Sequence, residues 1–199
     1  MSATKLERVL RRALADLAAS NVDFALVGGL AVSARAEPRF TRDLDVAVAI
    51  ENDAEAESLV QRLSASGYNV VATVEQEATA RLATVRLVPP GESAGGVIVD
   101  LLFASSGVEV EIVRDAEPLE ILEGLEVKVA TVGYLIATKV LSRDDRQRPQ
   151  DHADLLALLK NKSKADIDIA RKALQLVHER GFNRQKDLAA ELERLLSSQ

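Results

Sequence analysis

A segment in the first quarter of this 199-residue chain limits its possible folds more than any other. It opens with a short apolar run, Phe24-Ala-Leu-Val27, which is typical of a strand covered on both faces. Gly28-Gly29 ends this strand, and a helix is predicted directly after it, from Leu30 to Arg35. The stretch from Asp43 to Ile50 then alternates between two faces, which predicts a second strand. This order of elements indicates an α/β fold.

The remaining pattern adds strands up to about residue 128 and helices after it. We predict helices at about 4–20 and 54–65, strands at 68–74, 81–88 and 97–103, short extended segments at about 116–128, and helices near 131–143, 149–160, 165–180 and 184–196. The expected fold class is therefore α/β (α+β), with a mixed β-sheet flanked by helices and followed by a C-terminal helical bundle. We expect one domain over residues 1–128 and a helical domain over residues 129–199.

Composition excludes several classes of protein. The chain has no cysteine, so it cannot have a disulfide framework or a thiolate zinc site. It has no signal-peptide pattern and no apolar run of the roughly 18 residues that a membrane span needs, so we expect a soluble, cytoplasmic protein. The net charge of −6 argues against a dedicated DNA-binding protein. Residues 139–199 are mildly basic and could face a phosphate-bearing substrate, although solvated helix faces explain that charge more simply.

Two acids on the second strand are the first candidate for chemistry. Asp43 and Asp45 lie two residues apart, so both side chains leave the same face, with Cα atoms roughly 6.6 Å apart. Two bare carboxylates at about 6 Å repel each other by roughly 3 kcal/mol at an effective dielectric near 20. A cation between them removes this repulsion, and oxygen ligands suit Mg²⁺ or Mn²⁺. Taken alone, the pair is more simply interpreted as exposed acids on an edge strand.

Three further features favour a phosphate site with metal. Gly28-Gly29, separated from Asp43 by thirteen residues, lets backbone N–H groups approach a phosphate at a helix start. Arg39 and Thr41 place a guanidinium and a hydroxyl just before the acid pair. Asp100 interrupts the apolar run from Val97 to Phe103, and an ionised carboxylate is costly in a buried strand unless it is paired or metal-bound. We therefore expect Asp100 beside Asp43 and Asp45.

With these motifs the chain resembles the nucleotidyltransferase (polymerase-beta-like) superfamily. The resemblance rests on Val27-Gly28-Gly29, then Asp43-Leu-Asp45-Val, then Val99-Asp100-Leu. Gly28-Gly29-Leu-Ala-Val together with Arg39-Phe-Thr-Arg-Asp-Leu-Asp45 is similar to the branch of AbiEii-type toxins of bacterial type IV toxin–antitoxin systems. Many superfamily members have Gly-Ser where this chain has Gly28-Gly29, which affects a hydroxyl contact to phosphate but not the backbone contacts.

Two charged residues in the helical part lie on inward faces. Lys139 follows Leu135 by four residues on an apolar stripe, and Asp154 lies one turn into the next predicted helix. From the residues alone, a buried salt bridge between Lys139 and Asp154 is the better interpretation. The resemblance instead implies that Lys139 contacts the triphosphate and that Asp154 orients or activates the acceptor. Asp151 is more simply a capping charge at the helix start, but it is close enough to exchange roles with Asp154.

The resemblance implies a metal-dependent transfer of a nucleoside monophosphate from a nucleoside triphosphate (NTP), with pyrophosphate leaving. Asp43, Asp45 and Asp100 would bind Mg²⁺ or Mn²⁺, and either Asp100 or Asp154 would accept the acceptor's proton. The phosphate-binding set would be Gly28, Gly29, Arg39, Thr41 and Lys139. The implied acceptor is an RNA 3′ end such as that of a tRNA, and the implied protein partner is a cognate antitoxin. The alternatives are transfer to a small molecule, as in aminoglycoside-modifying enzymes, and a non-catalytic partner-binding module of the same fold.

Overall fold

A computed structural model describes residues 4–39, 41, 43–76, 79–93, 95–144, 149–160 and 162–198. Within these ranges the chain forms eight helices and seven strands. In chain order they are α1 (Lys5–Ala19), β1 (Phe24–Val27), α2 (Gly28–Arg35), β2 (Asp43–Val48), α3 (Asp53–Ala65), β3 (Asn69–Glu75), β4 (Leu82–Val88), β5 (Ile98–Leu102), α4 (Glu109–Asp115), β6 (Glu117–Leu122), β7 (Leu125–Val129), α5 (Val132–Ser142), α6 (Pro149–Lys160), α7 (Lys164–Glu179) and α8 (Leu188–Ser197).

The described strands form one mixed sheet in the order β3-β4-β5-β2-β1-β7-β6. The parallel pairs are β2 with β5 and β1 with β7, and the other neighbours are antiparallel. The strands β5, β2 and β1 lie in the middle of the sheet, where apolar side chains can be covered on both faces. The candidate acids lie on β2 and β5, so the centre of the sheet positions them.

One hydrophobic core joins the sheet to the helices. It includes Leu44 and Val46 of β2 as well as Leu135 and Ile136 of α5, all of which are fully or almost fully buried. The helix α5 is buried around most of its circumference, which fits its apolar sequence. The helical C-terminal part therefore packs directly against the part of the chain that forms the sheet.

The predicted fold class is confirmed: a mixed sheet is flanked by helices, and only helices follow β7 in the described part of the chain. The prediction was wrong about the start of the last helix, which begins at Leu188 and not near residue 184. Arg184 and Gln185 have positive φ values of 52° and 59°, so the backbone turns there. Asp187 then caps α8, because its side chain accepts a hydrogen bond from the backbone of Ala190.

Candidate active site

The glycine pair brings the start of α2 against the second acid of β2. Gly28 has a φ of +62°, in the left-handed region, and a Cβ at this position would overlap the carboxylate of Asp45. The backbone N–H of Gly29 faces Asp45 and favours its charged form. A Cβ on Gly29 would lie 2.6 Å from Nη2 of Arg39 and 3.1 Å from Oγ1 of Thr41. The glycines thus allow a close approach of backbone, carboxylate and guanidinium.

The strand register aligns the three candidate acids. Asp45 on β2 is the register partner of Val27 on one side and of Asp100 on the other. Register partners point to the same face of a sheet, and so do residues two positions apart on one strand. Asp43, Asp45 and Asp100 therefore share one face. Asp43 is exposed, Asp45 is partly buried and Asp100 is buried.

The electrostatics of Asp45 reflect this crowding. Burial raises the pKa of Asp45 to about 6, and the negative charges of Asp100 and Asp43 act in the same direction. The positive charge of Lys139 and the backbone N–H of Gly29 act in the opposite direction. Negative charge is therefore concentrated around Asp45, and a cation nearby would be strongly attracted.

Arg86 on β4 is the partner of the third acid. It is the register partner of Asp100, and its Nε and Nη2 donate to the two carboxylate oxygens at 2.8 and 2.7 Å. These hydrogen bonds raise the pKa of Arg86, and the charges of Asp100, Asp43 and Asp45 act in the same direction. The sequence interpretation missed Arg86. The signal was present, because Arg86 interrupts an apolar strand just as Asp100 does.

A second charged cluster lies between α5 and α6. Nζ of Lys139 lies 2.6 Å from Oδ1 of Asp151 and 2.7 Å from Oδ2 of Asp154, and all three residues are buried. The hydroxyl of Ser142 donates to Asp151 at 2.9 Å. Lys139 therefore pairs with both acids, and Asp151, which lies in the first turn of α6 as predicted, is also a buried partner of Lys139.

Arg39 connects this cluster to the glycine turn. Its Nε lies 2.7 Å from Oδ1 of Asp154, and its Nη2 donates to Oδ2 at 2.9 Å. Burial alone would raise the pKa of Asp154, but its contacts with Arg39 and Lys139 outweigh burial and lower it. Asp154 is therefore held ionised between two cations. The guanidinium of Arg39 also lies next to Gly29, and Asp45 lies next to Gly28. The helical cluster is therefore beside the acids of the sheet.

Thr41, also predicted to bind phosphate, lies beside Gly29 and Arg39. Thr41 donates from its hydroxyl to the backbone oxygen of Asp43 at 3.5 Å. Arg143 lies 3.5 Å from Glu191 of α8. Arg146 and Arg148, which precede α6 in the sequence, lie outside the described residues.

The three acids of the sheet suit a divalent cation, because their oxygens are ligands of the preferred type and their strand positions bring them to one face. All three offer hard carboxylate oxygens on one face, and the raised pKa of Asp45 marks a concentration of negative charge. In the conformation described, the fork of Arg86 occupies both oxygens of Asp100. Among the described residues, no group of three or more His, Cys, Asp or Glu side chains is arranged so that it could hold a metal ion.

Similar solved structures identify the fold as that of nucleotidyltransferases. An antigenic nucleotidyltransferase-like protein from Paracoccidioides brasiliensis is 19% identical with a TM-score of 0.54, over 97% of this chain and 94% of that one. The antibiotic-resistance factor ANT(2'')-Ia is 18% identical with a TM-score of 0.57, over 88% and 93%. The lincosamide antibiotic adenylyltransferase LnuA is 13% identical with a TM-score of 0.50, over 78% and 98%.

The family is more specific than the fold. The model of the family described as nucleotidyl transferase AbiEii toxin, type IV toxin–antitoxin system, matches residues 8–198. The chain therefore belongs to this family, and it is a nucleotidyltransferase. The resemblance predicted from the sequence is confirmed. A comparison with curated proteins found no match. Among the described residues, no helix has both the length and the apolar character that crossing a membrane requires.

Proposed function

We propose that this nucleotidyltransferase transfers a nucleoside monophosphate from an NTP to the 3′ hydroxyl of an RNA, such as a tRNA, and acts as the toxin of a toxin–antitoxin system. The observation that carries the proposal is the meeting of two clusters at one site. Asp43, Asp45 and Asp100 lie on one sheet face, and the pair of Arg39 with Asp154 joins the helical cluster to the glycine turn beside Asp45.

In the proposed reaction, the acceptor oxygen bonds to the α-phosphorus of the NTP, and the bond from that phosphorus to the bridging oxygen breaks to release pyrophosphate. Asp43 and Asp45, with Asp100 as the third ligand, would hold Mg²⁺ or Mn²⁺. When bound, such an ion activates the attacking hydroxyl and offsets charge on the leaving group. Catalysis then depends mainly on positioning and on electrostatic stabilisation by the side chains around the phosphates.

The helical residues have complementary proposed roles. Asp151 and Asp154 hold the ammonium of Lys139, and its charge acts on Asp45, which supports a contact of Lys139 with the triphosphate. Asp154 has a lowered pKa and is a weak base, so we assign it to orienting the acceptor. Asp100 is then the proposed acceptor of the proton. Gly28, Gly29, Arg39 and Thr41 complete the proposed phosphate-binding set.

Three coarser features of the protein are also proposals. Residues 1–128 would form the nucleotidyltransferase domain, and residues 129–199 would form a helical domain that supplies Lys139 and Asp154. Membership of a toxin family supports a cognate antitoxin as a partner. The expected location is the cytoplasm, where NTPs and tRNA are available.

Transfer of label from α-labelled NTPs tests the proposal. The protein is incubated with Mg²⁺ or Mn²⁺ and either total tRNA or a panel of aminoglycosides. We expect label in tRNA, and we expect Asp45→Asn to lower the rate at least roughly 10³-fold, since a metal contributes several kcal/mol to such reactions. Asp23→Asn is the matched control, because this exposed acid precedes β1 at the end away from the glycine turn.

The other outcomes separate the alternatives. Label in aminoglycosides and not in tRNA would replace the RNA acceptor with a small molecule. A calorimetric titration that detects no binding of NTP with Mg²⁺ would favour a non-catalytic module. In growth assays, we expect expression of the wild type to slow growth and Asp45→Ala to restore it. Equal toxicity of the two proteins would contradict an enzymatic toxin.

A further inference from the structure

Arg86 and Asp100 form an ion pair with two hydrogen bonds between neighbouring strands of the sheet. They are register partners on the antiparallel strands β4 and β5. The fork of Arg86 meets both oxygens of Asp100, at 2.8 Å from Nε and 2.7 Å from Nη2. A bidentate pair of this kind is among the stronger polar contacts in proteins.

The two partners differ in their freedom to move. The side chain of Asp100 is only 9% exposed, whereas that of Arg86 is 48% exposed. Asp100 is also part of a central strand, with β2 on one side and β4 on the other. A change of partner would therefore move the guanidinium outward into solvent and leave the carboxylate in place.

A guanidinium and a divalent cation cannot easily share Asp100. An ion such as Mg²⁺ would lie about 2.1 Å from a carboxylate oxygen, and therefore at most about 5 Å from the guanidinium nitrogen that binds the same oxygen. Two positive charges at this distance repel each other. The guanidinium is also close enough to interact with Asp43 and Asp45, the other two acids of the face.

We propose that Arg86 is an internal counter-ion of the cation site and competes with the divalent cation for the carboxylate of Asp100. Without the cation, Arg86 partly neutralises three acids that would otherwise repel one another. When the cation binds, Arg86 leaves Asp100, and its planar donors become available to a phosphate. This inference rests on the proposed function, since it requires a cation at Asp43 and Asp45.

Calorimetric titration with Mn²⁺ alone tests this competition in the full-length chain. The experiment compares Arg86→Gln in two backgrounds, the wild type and Asp100→Asn. We expect Arg86→Gln to tighten Mn²⁺ binding roughly tenfold, or about 1.4 kcal/mol, when Asp100 is present. In the Asp100→Asn background there is nothing to compete for, so we expect a change of less than about twofold, the general effect of removing one nearby charge.

Equal tightening in both backgrounds, or none in either, would overturn the proposal. Arg81→Gln is the matched control, because Arg81 precedes the same strand and pairs with Asp53, and it should leave Mn²⁺ affinity unchanged. If Arg86→Gln does not fold, Arg86→Lys keeps the charge but loses the fork, and we expect a smaller tightening that again requires Asp100.

A separate variant tests the proposed function itself. If the wild type and Asp45→Asn bind Mn²⁺ equally, the cation site at Asp43 and Asp45 is wrong and the competition proposal fails with it. If binding depends on Asp45 but Arg86→Gln changes nothing, only the competition proposal fails.

Discussion

The two charged clusters of the candidate site differ in their balance of positive and negative charge. On the sheet, the carboxylates of Asp43, Asp45 and Asp100 lie near one guanidinium, that of Arg86, which hydrogen-bonds to Asp100, so negative charge is in excess. Between the helices, Asp151 and Asp154 are balanced by two cations, Lys139 and Arg39. Removing a charge from a balanced buried cluster leaves its partner uncompensated and lowers stability, whereas an unbalanced cluster lowers stability until a cation arrives. Opposite effects on stability are therefore expected when one charge is removed from each cluster.

The largest expected change in stability follows from removing the central cation of the helical cluster. Lys139→Met leaves the neighbouring carboxylates of Asp151 and Asp154 buried with one fewer partner. Breaking a buried pair in this way typically costs about 3–5 kcal/mol. We expect a loss of this size in the free energy of unfolding, measured by urea titration with circular dichroism.

Lys160→Met is the control for this experiment. Lys160 also pairs with a carboxylate, that of Glu37, but both side chains are exposed. Exposed pairs contribute little, so this variant should unfold close to the wild type. If both lysine variants were equally stable, the helical cluster would not be the balanced, stabilising one that the comparison describes.

The sheet cluster is expected to respond in the opposite direction, and with a defined pH dependence. The pKa of Asp45 is about 6 in the folded protein, above its ordinary value of 3.8. The folded state therefore holds this proton more tightly than the unfolded state does. The resulting stabilisation is complete below about pH 4 and is lost as the pH rises through 6.

Asp45→Asn should consequently be more stable than the wild type at pH 8, by on the order of 3 kcal/mol without divalent cations. The difference should shrink between pH 6 and pH 4 and vanish below that. Urea unfolding at several pH values in the presence of a chelator measures it. A variant less stable than the wild type at pH 8 would show that the sheet cluster is already balanced.

The smallest expected difference between a variant and its control concerns the glycine turn that lies between the clusters. Gly28→Ala has to accept a φ of +62° and a Cβ that overlaps Asp45. Gly91→Ala is the matched control, since Gly91 has a φ of +82° with open space around its Cβ position. Both substitutions place an alanine in the left-handed backbone region, which lowers the free energy of unfolding by about 1–2 kcal/mol. We expect Gly28→Ala to lose about 1–3 kcal/mol more, because overpacking adds to the strain.

Combining Gly28→Ala with Asp45→Ala sharpens this result. The second substitution removes the carboxylate that the new Cβ would meet, so part of the extra loss should be recovered. Thermal unfolding of the single and double variants measures this coupling. Purely additive losses would indicate that only the backbone conformation matters at Gly28.

Much of the site was accessible from local patterns. The apolar run before Gly28, the alternation that starts at Asp43 and the acid within an apolar run at Asp100 are each visible within a few residues. The ion-pair partners of the charged residues were harder to predict from the sequence. The inward positions of Lys139 and Asp154 suggested a pair, but the involvement of Asp151 and Arg39 depended on how α6 packs against α5 and α2. Arg86 was missed although its strand was predicted, because its meaning depends on which strand lies beside it.

Most of the elements and the face that each acid occupies could be predicted from the sequence, because strand and helix periodicities act over neighbouring residues. Motifs of fixed spacing also identified the family. Tertiary packing set the partners: Asp45 lies between Val27 and Asp100, Arg86 faces Asp100, and Arg39 reaches Asp154. These are contacts between residues distant in the chain, and strand order, register and helix packing set them through the shared core.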